Sequence, residues 1–230
     1  MTAYFSLLIL LLNLPDPLVW TRLESGQAFT LNPVKSEWIP LKEREQLPAQ
    51  SIILTKPGTR LYVYEGTETS EAPANAYFIL GDVLPKTTPD LVRTLTHIEL
   101  SQLPAAPATQ EQTPPKPGIT YGELKKQAEA PAIPFYLERL TAIDWFAAHG
   151  QPGGALLSLK RLVTRYPDLL ERADLAERLF TLYDQLGLDG YLYDETSRLM
   201  LRQTRGDTDP LLRQWNERAR QKLTRSAQPR

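Results

Sequence analysis

The stretch Pro104-Ala-Ala-Pro-Ala-Thr-Gln-Glu-Gln-Thr-Pro-Pro-Lys-Pro-Gly118 separates two parts of this 230-residue chain that differ in their pattern of apolar residues. It contains five prolines and no large apolar side chain, so it cannot bury enough surface to offset the entropy of ordering it. Short alternating runs precede it, and apolar residues at helical spacing follow it. The sequence therefore predicts an α+β protein of two segregated domains, at 18–103 and 119–225, joined by a solvated linker at 104–118.

The composition is that of a globular protein, and it excludes several kinds of site. The chain is 42% apolar and 23% charged with a net charge of −1, which argues against nucleic-acid binding over its whole surface. It has no cysteine, which excludes disulfides and thiolate sites. His97 and His149 are its two histidines, and one falls in each predicted domain. A site with several histidines within one domain is therefore excluded, whereas a carboxylate site for a hard cation stays open although no loop signature marks one. No catalytic motif accompanies either histidine, so the prediction is no catalytic residue, no metal site and no cofactor.

An apolar run at Phe5–Leu14 has the length of the hydrophobic region of a signal peptide. It is shorter than the roughly 20 apolar residues that a membrane-spanning helix needs, and no other long apolar run follows, so we expect no transmembrane helix. No Lys or Arg precedes the run, and Pro15-Asp16-Pro17 is a poor cleavage region. Residues 1–17 are thus interpreted as a signal peptide or as a short N-terminal apolar segment. The first interpretation predicts an exported protein.

The first domain contains short runs that are typical of strands. Leu18–Leu23 and Ala28–Leu31 flank the turn residues Ser25-Gly26, which predicts a hairpin between them. Further runs follow at 38–41, 51–55, 60–64, 76–80 and 95–100, and Thr87–Asp90 can open one helical turn. This even spacing predicts a small antiparallel β sandwich or barrel.

The run at 60–64 places two tyrosines on one face of a strand. Leu61 and Val63 alternate with Tyr62 and Tyr64, so the tyrosines occupy the face opposite the apolar pair. Tyr62 and Tyr64 are candidate partner-binding residues because tyrosine combines apolar area with a hydrogen-bonding tip. The alternative is that they are ordinary half-exposed strand residues.

The first domain resembles the FecR-like β domain of bacterial envelope proteins over about residues 18–84. The resemblance is carried by Trp38-x-Pro-Leu41, Leu47-Pro48, Ile52-Ile53-x-Thr55 and Pro57-Gly58-x-Arg60-Leu61. It departs from the family at Glu43–Glu45, where a turn glycine is usual, and at Glu65-Gly66, where the hairpin loop is longer. The resemblance implies a non-catalytic periplasmic domain.

The second domain has apolar residues at helical spacing. Helices are predicted at about 120–128, 134–149, 152–166 and 170–186, then around Leu192–Met200, and finally from Asp209-Pro210, with a disordered tail at 226–230. Helices of this length joined by short turns pack as antiparallel hairpins, so we expect a stack of α-helical hairpins.

An internal repeat runs through these helices. Phe146 and Gly150 recur as Tyr183 and Gly187 at an offset of 37 residues. Together with Ala155 and Pro167, this pattern resembles a tetratricopeptide repeat over about residues 134–204. The resemblance implies a concave groove that binds a peptide or protein segment.

Four polar side chains, two on the first helix of each of two hairpins, are candidates to line that groove. They are Arg139, Asp144, Glu177 and Arg178. The alternative is that they form solvated helix faces.

Two further sets of polar residues have alternative interpretations. His97 and Glu99 fall on the same side of a predicted strand, so a His-carboxylate pair is one interpretation, whereas His149 is predicted to cap a helix. From Arg198 onward, the sequence contains nine Arg or Lys residues and three acidic residues. This basic end could bind an anionic partner, or it could serve solubility.

We expect a non-enzymatic periplasmic scaffold or protein–protein interaction module of the cell envelope, with a protein or peptidoglycan partner. A cell-wall hydrolase and a cytoplasmic adaptor that binds nucleic acid through the basic tail are the alternatives. The sequence does not predict an oligomeric state.

Overall fold

The computed structural model describes residues 17–101, 133–202 and 209–226. Within these ranges the strands precede the α-helices, which gives the predicted α+β layout. The predicted linker at 104–118, the predicted helix at 120–128, nearly all of the N-terminal segment at 1–17 and the tail from residue 227 lie outside the described residues.

Eight strands in the described part of the chain form two antiparallel four-stranded sheets. The strands are β1 Leu18–Ser25, β2 Ala28–Asn32, β3 Glu37–Pro40, β4 Arg44–Pro48, β5 Ile52–Thr55, β6 Arg60–Glu65, β7 Glu68–Glu71 and β8 Tyr77–Ile79. Sheet I has the strand order β4-β1-β6-β7, and sheet II has the order β3-β2-β5-β8. Both sheets bury one set of alternating side chains in a common core, to which Val19 and Leu61 contribute from sheet I and Ile53 and Phe78 from sheet II.

The predicted hairpin between the first two strands is wrong. β1 pairs with β4 and β6, whereas β2 pairs with β3 and β5, so the turn at Gly26 carries the chain from one sheet to the other. Gly26 has a φ of +83°, and a β-carbon there would clash with the Thr59 backbone. The Thr59 hydroxyl also donates a hydrogen bond to the Gln27 carbonyl at 2.8 Å. These contacts hold the turn between β1 and β2 against the residue that precedes β6.

The strand predicted at 95–100 is also wrong, because these residues belong to helix α1, Thr88–Leu100. The Thr87 side chain caps the helix by accepting a hydrogen bond from the Asp90 N–H, and proline occupies the first turn. Leu91, Leu95 and Ile98 are all buried. Their spacing of four and then three residues is that of one helix face, which outweighs the local alternation around Ile98.

Five further helices follow in the described residues. They are α2 Tyr136–Ala148, α3 Pro152–Arg165, α4 Ala173–Gln185, α5 Asp189–Arg202 and α6 Pro210–Ser226, with short 3-10 helices at Leu80–Val83 and Pro167–Glu171. The expected helix at 170–186 therefore begins later than predicted, because Pro167 starts a separate 3-10 turn. None of the described helices has the length and apolar character required to cross a membrane.

The helices pack against the strand-rich part through a continuous buried core. The rings of Phe78 on β8 and Phe146 on α2 meet edge to face at a centroid distance of 6.2 Å. Helix α3 packs against both α1 and the 3-10 helix at Leu80–Val83. At this contact, Gly154 has no side chain, so its backbone lies close to the Asp82 carbonyl, and Gly153 lies close to the Leu91 side chain. The two regions thus share a core over the described residues.

Candidate functional site

The candidate residues Tyr62 and Tyr64 lie on β6, near the middle of sheet I. Leu61 and Val63, which alternate with them, are fully buried, whereas both tyrosines are half-buried. The tyrosines therefore lie on the outer face of the sheet, as the alternation predicted.

Trp20 extends this pair into a row of aromatic side chains. It lies directly opposite Tyr64 in the β1–β6 register, and Arg22 lies opposite Tyr62. Trp20 is 53% exposed, and Leu18, which projects on the same side of β1, is 56% exposed. We name the set of Leu18, Trp20, Arg22, Tyr62 and Tyr64 the aromatic face. Directly opposed side chains on one sheet face lie close enough to act as one surface.

Sequence reasoning missed Trp20 as part of this surface. The alternation of exposed Leu18 and Trp20 with buried Val19 and Thr21 is a signal that could have placed Trp20 outside. Its pairing with Tyr64 is non-local, however, and depends on the register between β1 and β6.

Arg139 lies apart from the other three helical candidates. Its guanidinium stacks over the Tyr77 ring at 3.8 Å, and its Nε donates a hydrogen bond to the Pro134 carbonyl at 3.1 Å. Phe135 stacks on the same tyrosine at 5.4 Å, and Trp38 meets both rings edge-on. Arg139 thus lies at the contact between sheet II and the beginning of α2. Trp38 belongs to this aromatic cluster, where it is half-buried.

The structure brings the remaining candidates together on α2 and α4. Asp144 on α2 and Arg178 on α4 form an ion pair, and Glu177 is exposed beside Arg178. A second bridge joins the same region, because Arg172 Nη1 donates a hydrogen bond to the Tyr136 hydroxyl at 2.7 Å. The first helices of the two predicted hairpins are therefore linked by polar side chains.

A cavity of about 490 Å³ lies between α1, α3, α5 and the 3-10 helix at Pro167–Glu171. Its lining consists of Thr96, Glu99, Leu100, Lys160, Val163, Thr164, Pro167, Leu170, Glu195, Arg198, Leu199 and Arg202. Lys160, whose side chain is 5% exposed, forms an ion pair with Glu195 and approaches Glu99 at 3.5 Å. Arg198 also approaches Glu99, at 3.4 Å. The two carboxylates are thus each matched by a cation.

Two tyrosine side chains lie near these charges, and one of them is buried. Tyr183 is fully buried, and its hydroxyl has no hydrogen-bond partner among the described residues. Burial raises the pKa of the Tyr183 hydroxyl well above its ordinary value of 10.0, and the charges of Glu195 and Glu99 add to this effect. The neighbouring Tyr191 stacks on Tyr183 with 6.1 Å between ring centroids, and its hydroxyl lies 3.0 Å from Thr96 Oγ1.

The predicted pairing of His97 with Glu99 is wrong, because both residues belong to α1. Residues two apart on a helix point in different directions, and His97 is exposed while Glu99 lines the cavity. The helix-capping role predicted for His149 is confirmed. His149 ends α2, its Nδ1 lies 2.8 Å from the Trp145 carbonyl, and its ring stacks on that of Trp145.

Ion pairs neutralise part of the basic C-terminal end. Arg218 and Lys222 each contact the Asp184 carboxylate at 2.6 Å, which raises the pKa of Lys222. Arg220 pairs with Glu217 one helical turn away at 2.9 Å. Several of the basic side chains on α6 therefore contribute to contacts within the protein.

Comparison with protein-family models, with curated proteins and with solved structures found no match to this chain. The comparisons therefore identify neither a FecR-like nor a tetratricopeptide-like domain.

Proposed function

We propose that this chain is a non-enzymatic protein of the bacterial cell envelope, exported to the periplasm, that binds a protein partner through its aromatic face. The single observation that carries the proposal is the row of Trp20 and Tyr64 on the outer face of sheet I, with Tyr62 and Arg22 beside it. Tryptophan, tyrosine and arginine are the residues that contribute most often to binding energy at protein interfaces.

The position of these side chains supports a contact surface. Leu61 and Val63 anchor β6 in the core from the other side, so the strand that presents the tyrosines is rigid. Tyr62 and Tyr64 lose little conformational entropy on binding because they are already half-buried. A protein partner fits this mixture of flat rings and a guanidinium, and peptidoglycan is the alternative partner that the experiment below distinguishes.

We propose the surface on α2 and α4 as a second contact, formed by Asp144, Glu177 and Arg178. Arg139, the fourth candidate, already packs on Tyr77, so its contribution would be to hold α2 on sheet II. Because the strands and helices share a core, the two surfaces are held at a fixed distance from each other. A partner that contacts both surfaces would therefore gain affinity, because no conformational entropy of a flexible linker between them would be lost on binding.

We also propose that the helices form a stack of helical hairpins with a tetratricopeptide-like repeat. The two copies end their first helices in the same way. Gly150 and Gly187 both have positive φ, and the next residue donates a hydrogen bond to the carbonyl of Phe146 in one copy and of Tyr183 in the other, at 2.9 Å each. This is the glycine-terminated helix end of a Schellman motif, repeated at the 37-residue offset.

We propose that sheets I and II form a β sandwich and that this sandwich is a FecR-like domain. The support is that each sheet turns alternate side chains into one core, Val19 and Val63 from sheet I and Ile53 and Phe78 from sheet II. Two sheets that bury alternate residues against each other form such a sandwich.

The proposal is tested by photo-cross-linking in the bacterium that expresses the protein. A photoreactive amino acid at position 62 is expected to give a discrete adduct with one periplasmic protein. The adduct should disappear when Trp20→Ser is added, and the same probe at Val34, which is 90% exposed and lies on the β2–β3 turn, should not give it. The reciprocal experiment, with probes in the identified partner, should return this chain.

Three results would contradict the proposal. Equal adducts from positions 62 and 34 would show that the aromatic face is not selective. Adducts with peptidoglycan alone would favour the cell-wall polymer. Recovery of the protein from the cytoplasm would contradict the envelope assignment.

A further inference from the structure

The cavity between α1, α3 and α5 has no role in the function proposed above. Its volume of about 490 Å³ falls in the range of about 300–1,000 Å³ that is typical of small-molecule sites. It is built by residues from both regions of the chain, since α1 belongs to the strand-rich region and α3 and α5 to the helical region.

Among the described side chains that line the cavity, the cationic groups outnumber the carboxylates by one. Lys160 pairs with Glu195, and Arg198 approaches Glu99, so these four groups sum to zero net charge. Arg202, at the C-terminal end of α5, also lines the cavity. It is exposed, and no ion-pair partner for it lies within the ranges that the structure describes. The described residues that line the cavity therefore carry one positive charge beyond their internal pairs.

The rest of the lining is largely apolar. It consists of Leu100, Val163, Pro167, Leu170 and Leu199, together with Thr96 and Thr164. Val163 is buried, whereas Leu100 is 57% exposed at the end of α1. Such walls exclude water from an aliphatic group and gain free energy from covering it.

We propose that this cavity binds a monoanionic amphiphile, a molecule with one carboxylate group and an aliphatic body. The carboxylate would contact Arg202, whose forked guanidinium can donate two parallel hydrogen bonds, and the aliphatic body would lie against Val163 and Leu199. Lys160 forms a polar floor, held in place by Glu195 and Glu99. A cationic amphiphile is disfavoured, because both carboxylates already have partners and Arg202 would repel it.

The proposal is tested by isothermal titration of the full chain with octanoate at low salt. We expect saturable binding of octanoate, and binding of 1-octanol and octylamine that is weaker by about tenfold or more, because neither forms the charged hydrogen bonds. Arg202→Gln should weaken octanoate binding by about tenfold or more. Arg165→Gln is the matched control, because Arg165 is an exposed arginine on α3 outside the cavity, and it should leave the affinity within about twofold.

A second variant tests the apolar part of the site. Leu100→Trp fills the mouth of the cavity from an exposed position, so it should abolish octanoate binding while the far-ultraviolet circular dichroism stays unchanged. Leu100→Met keeps the volume and should retain binding. The proposal is overturned if the folded wild-type chain does not bind octanoate. It is also overturned if Arg202→Gln or Leu100→Trp binds as the wild type does, or if acetate binds as tightly as octanoate.

Discussion

Gly154 on α3 lies against the backbone carbonyl of Asp82, so close that a β-carbon at position 154 would overlap the carbonyl oxygen. Asp82 belongs to the 3-10 helix that follows β8, and Gly154 lies in the first turn of the helix that packs on it. This contact limits how closely α3 can approach the 3-10 helix at Leu80–Val83. Glycine is therefore required at 154 by the space available and not by its backbone angles.

Gly154→Ala is expected to destabilise the protein by about 2 kcal/mol or more, because a backbone oxygen cannot move aside as a flexible side chain can. The measurement is the free energy of unfolding in urea. Gly190→Ala is the matched control, since Gly190 lies in α5 and no atom of the described residues comes within 4 Å of the added carbon. It should stabilise by roughly 0.5–1 kcal/mol. Equal effects of the two substitutions would show that the close contact does not limit packing.

The buried side chain of Asp82 also joins the 3-10 helix to α3. It accepts a hydrogen bond from Ser158 Oγ at 3.2 Å and forms an ion pair with Arg161. Asp82→Ala should therefore cost about 3 kcal/mol of unfolding free energy, because Arg161 would lose its partner in a partly buried place. Asp168→Ala removes an exposed carboxylate from a 3-10 helix and should change stability by less than about 0.5 kcal/mol. A loss at Asp82 no larger than the loss at Asp168 would contradict this role.

The periodicity of apolar residues predicted most of the helices, because each buries one face against its neighbours. Leu175, Leu179 and Leu182 on α4 are all buried, for example. It failed at α1, where the short run around Ile98 also fits alternation. What identifies the helix is the longer interval from Leu91 to Ile98 together with the Thr87 cap.

The sites were less predictable than the elements, because they depend on contacts between distant residues. Tyr62 and Tyr64 could be placed on the outer side of a strand from alternation alone, but Trp20 joins them only through the register of β1 and β6. Lys160 belongs by sequence to the polar side of α3. Its burial against Glu99 and Glu195 arises from the packing of α1 and α5, which no local pattern encodes.

The ion pair of Lys160 and Glu195 allows a test by double substitution. Lys160→Met should destabilise the protein by about 3 kcal/mol, because it leaves the Glu195 carboxylate buried without its cation. Adding Glu195→Gln should restore at least about 1 kcal/mol of that loss, because it removes the uncompensated charge. Glu177→Gln in the same background removes an exposed carboxylate and should restore nothing. Urea unfolding at pH 7 is measured for the wild type, Lys160→Met and the two double variants. An equal response to both glutamine substitutions would show that Lys160 and Glu195 are not coupled.

Tyr183 predicts a specific dependence of stability on high pH. Burial raises the pKa of its hydroxyl above 10.0 in the folded state, so between pH 10.0 and the folded value the unfolded chain releases a proton that the folded chain retains. This difference leaves stability intact below pH 10.0 and lowers it as the pH rises further. Tyr183→Phe should therefore flatten the decline measured between pH 9 and pH 11.

The same substitution should leave stability at pH 7 unchanged or raise it by about 1 kcal/mol, because the hydroxyl that it removes is buried without a hydrogen-bond partner among the described residues. Tyr191→Phe is the matched control. It removes a hydroxyl that lies 3.0 Å from Thr96 Oγ1 and 3.3 Å from the Val92 carbonyl, so it should destabilise by about 1 kcal/mol at pH 7 and keep the decline at high pH. If Tyr183→Phe left that decline as steep as in the wild type, another group would have to cause it.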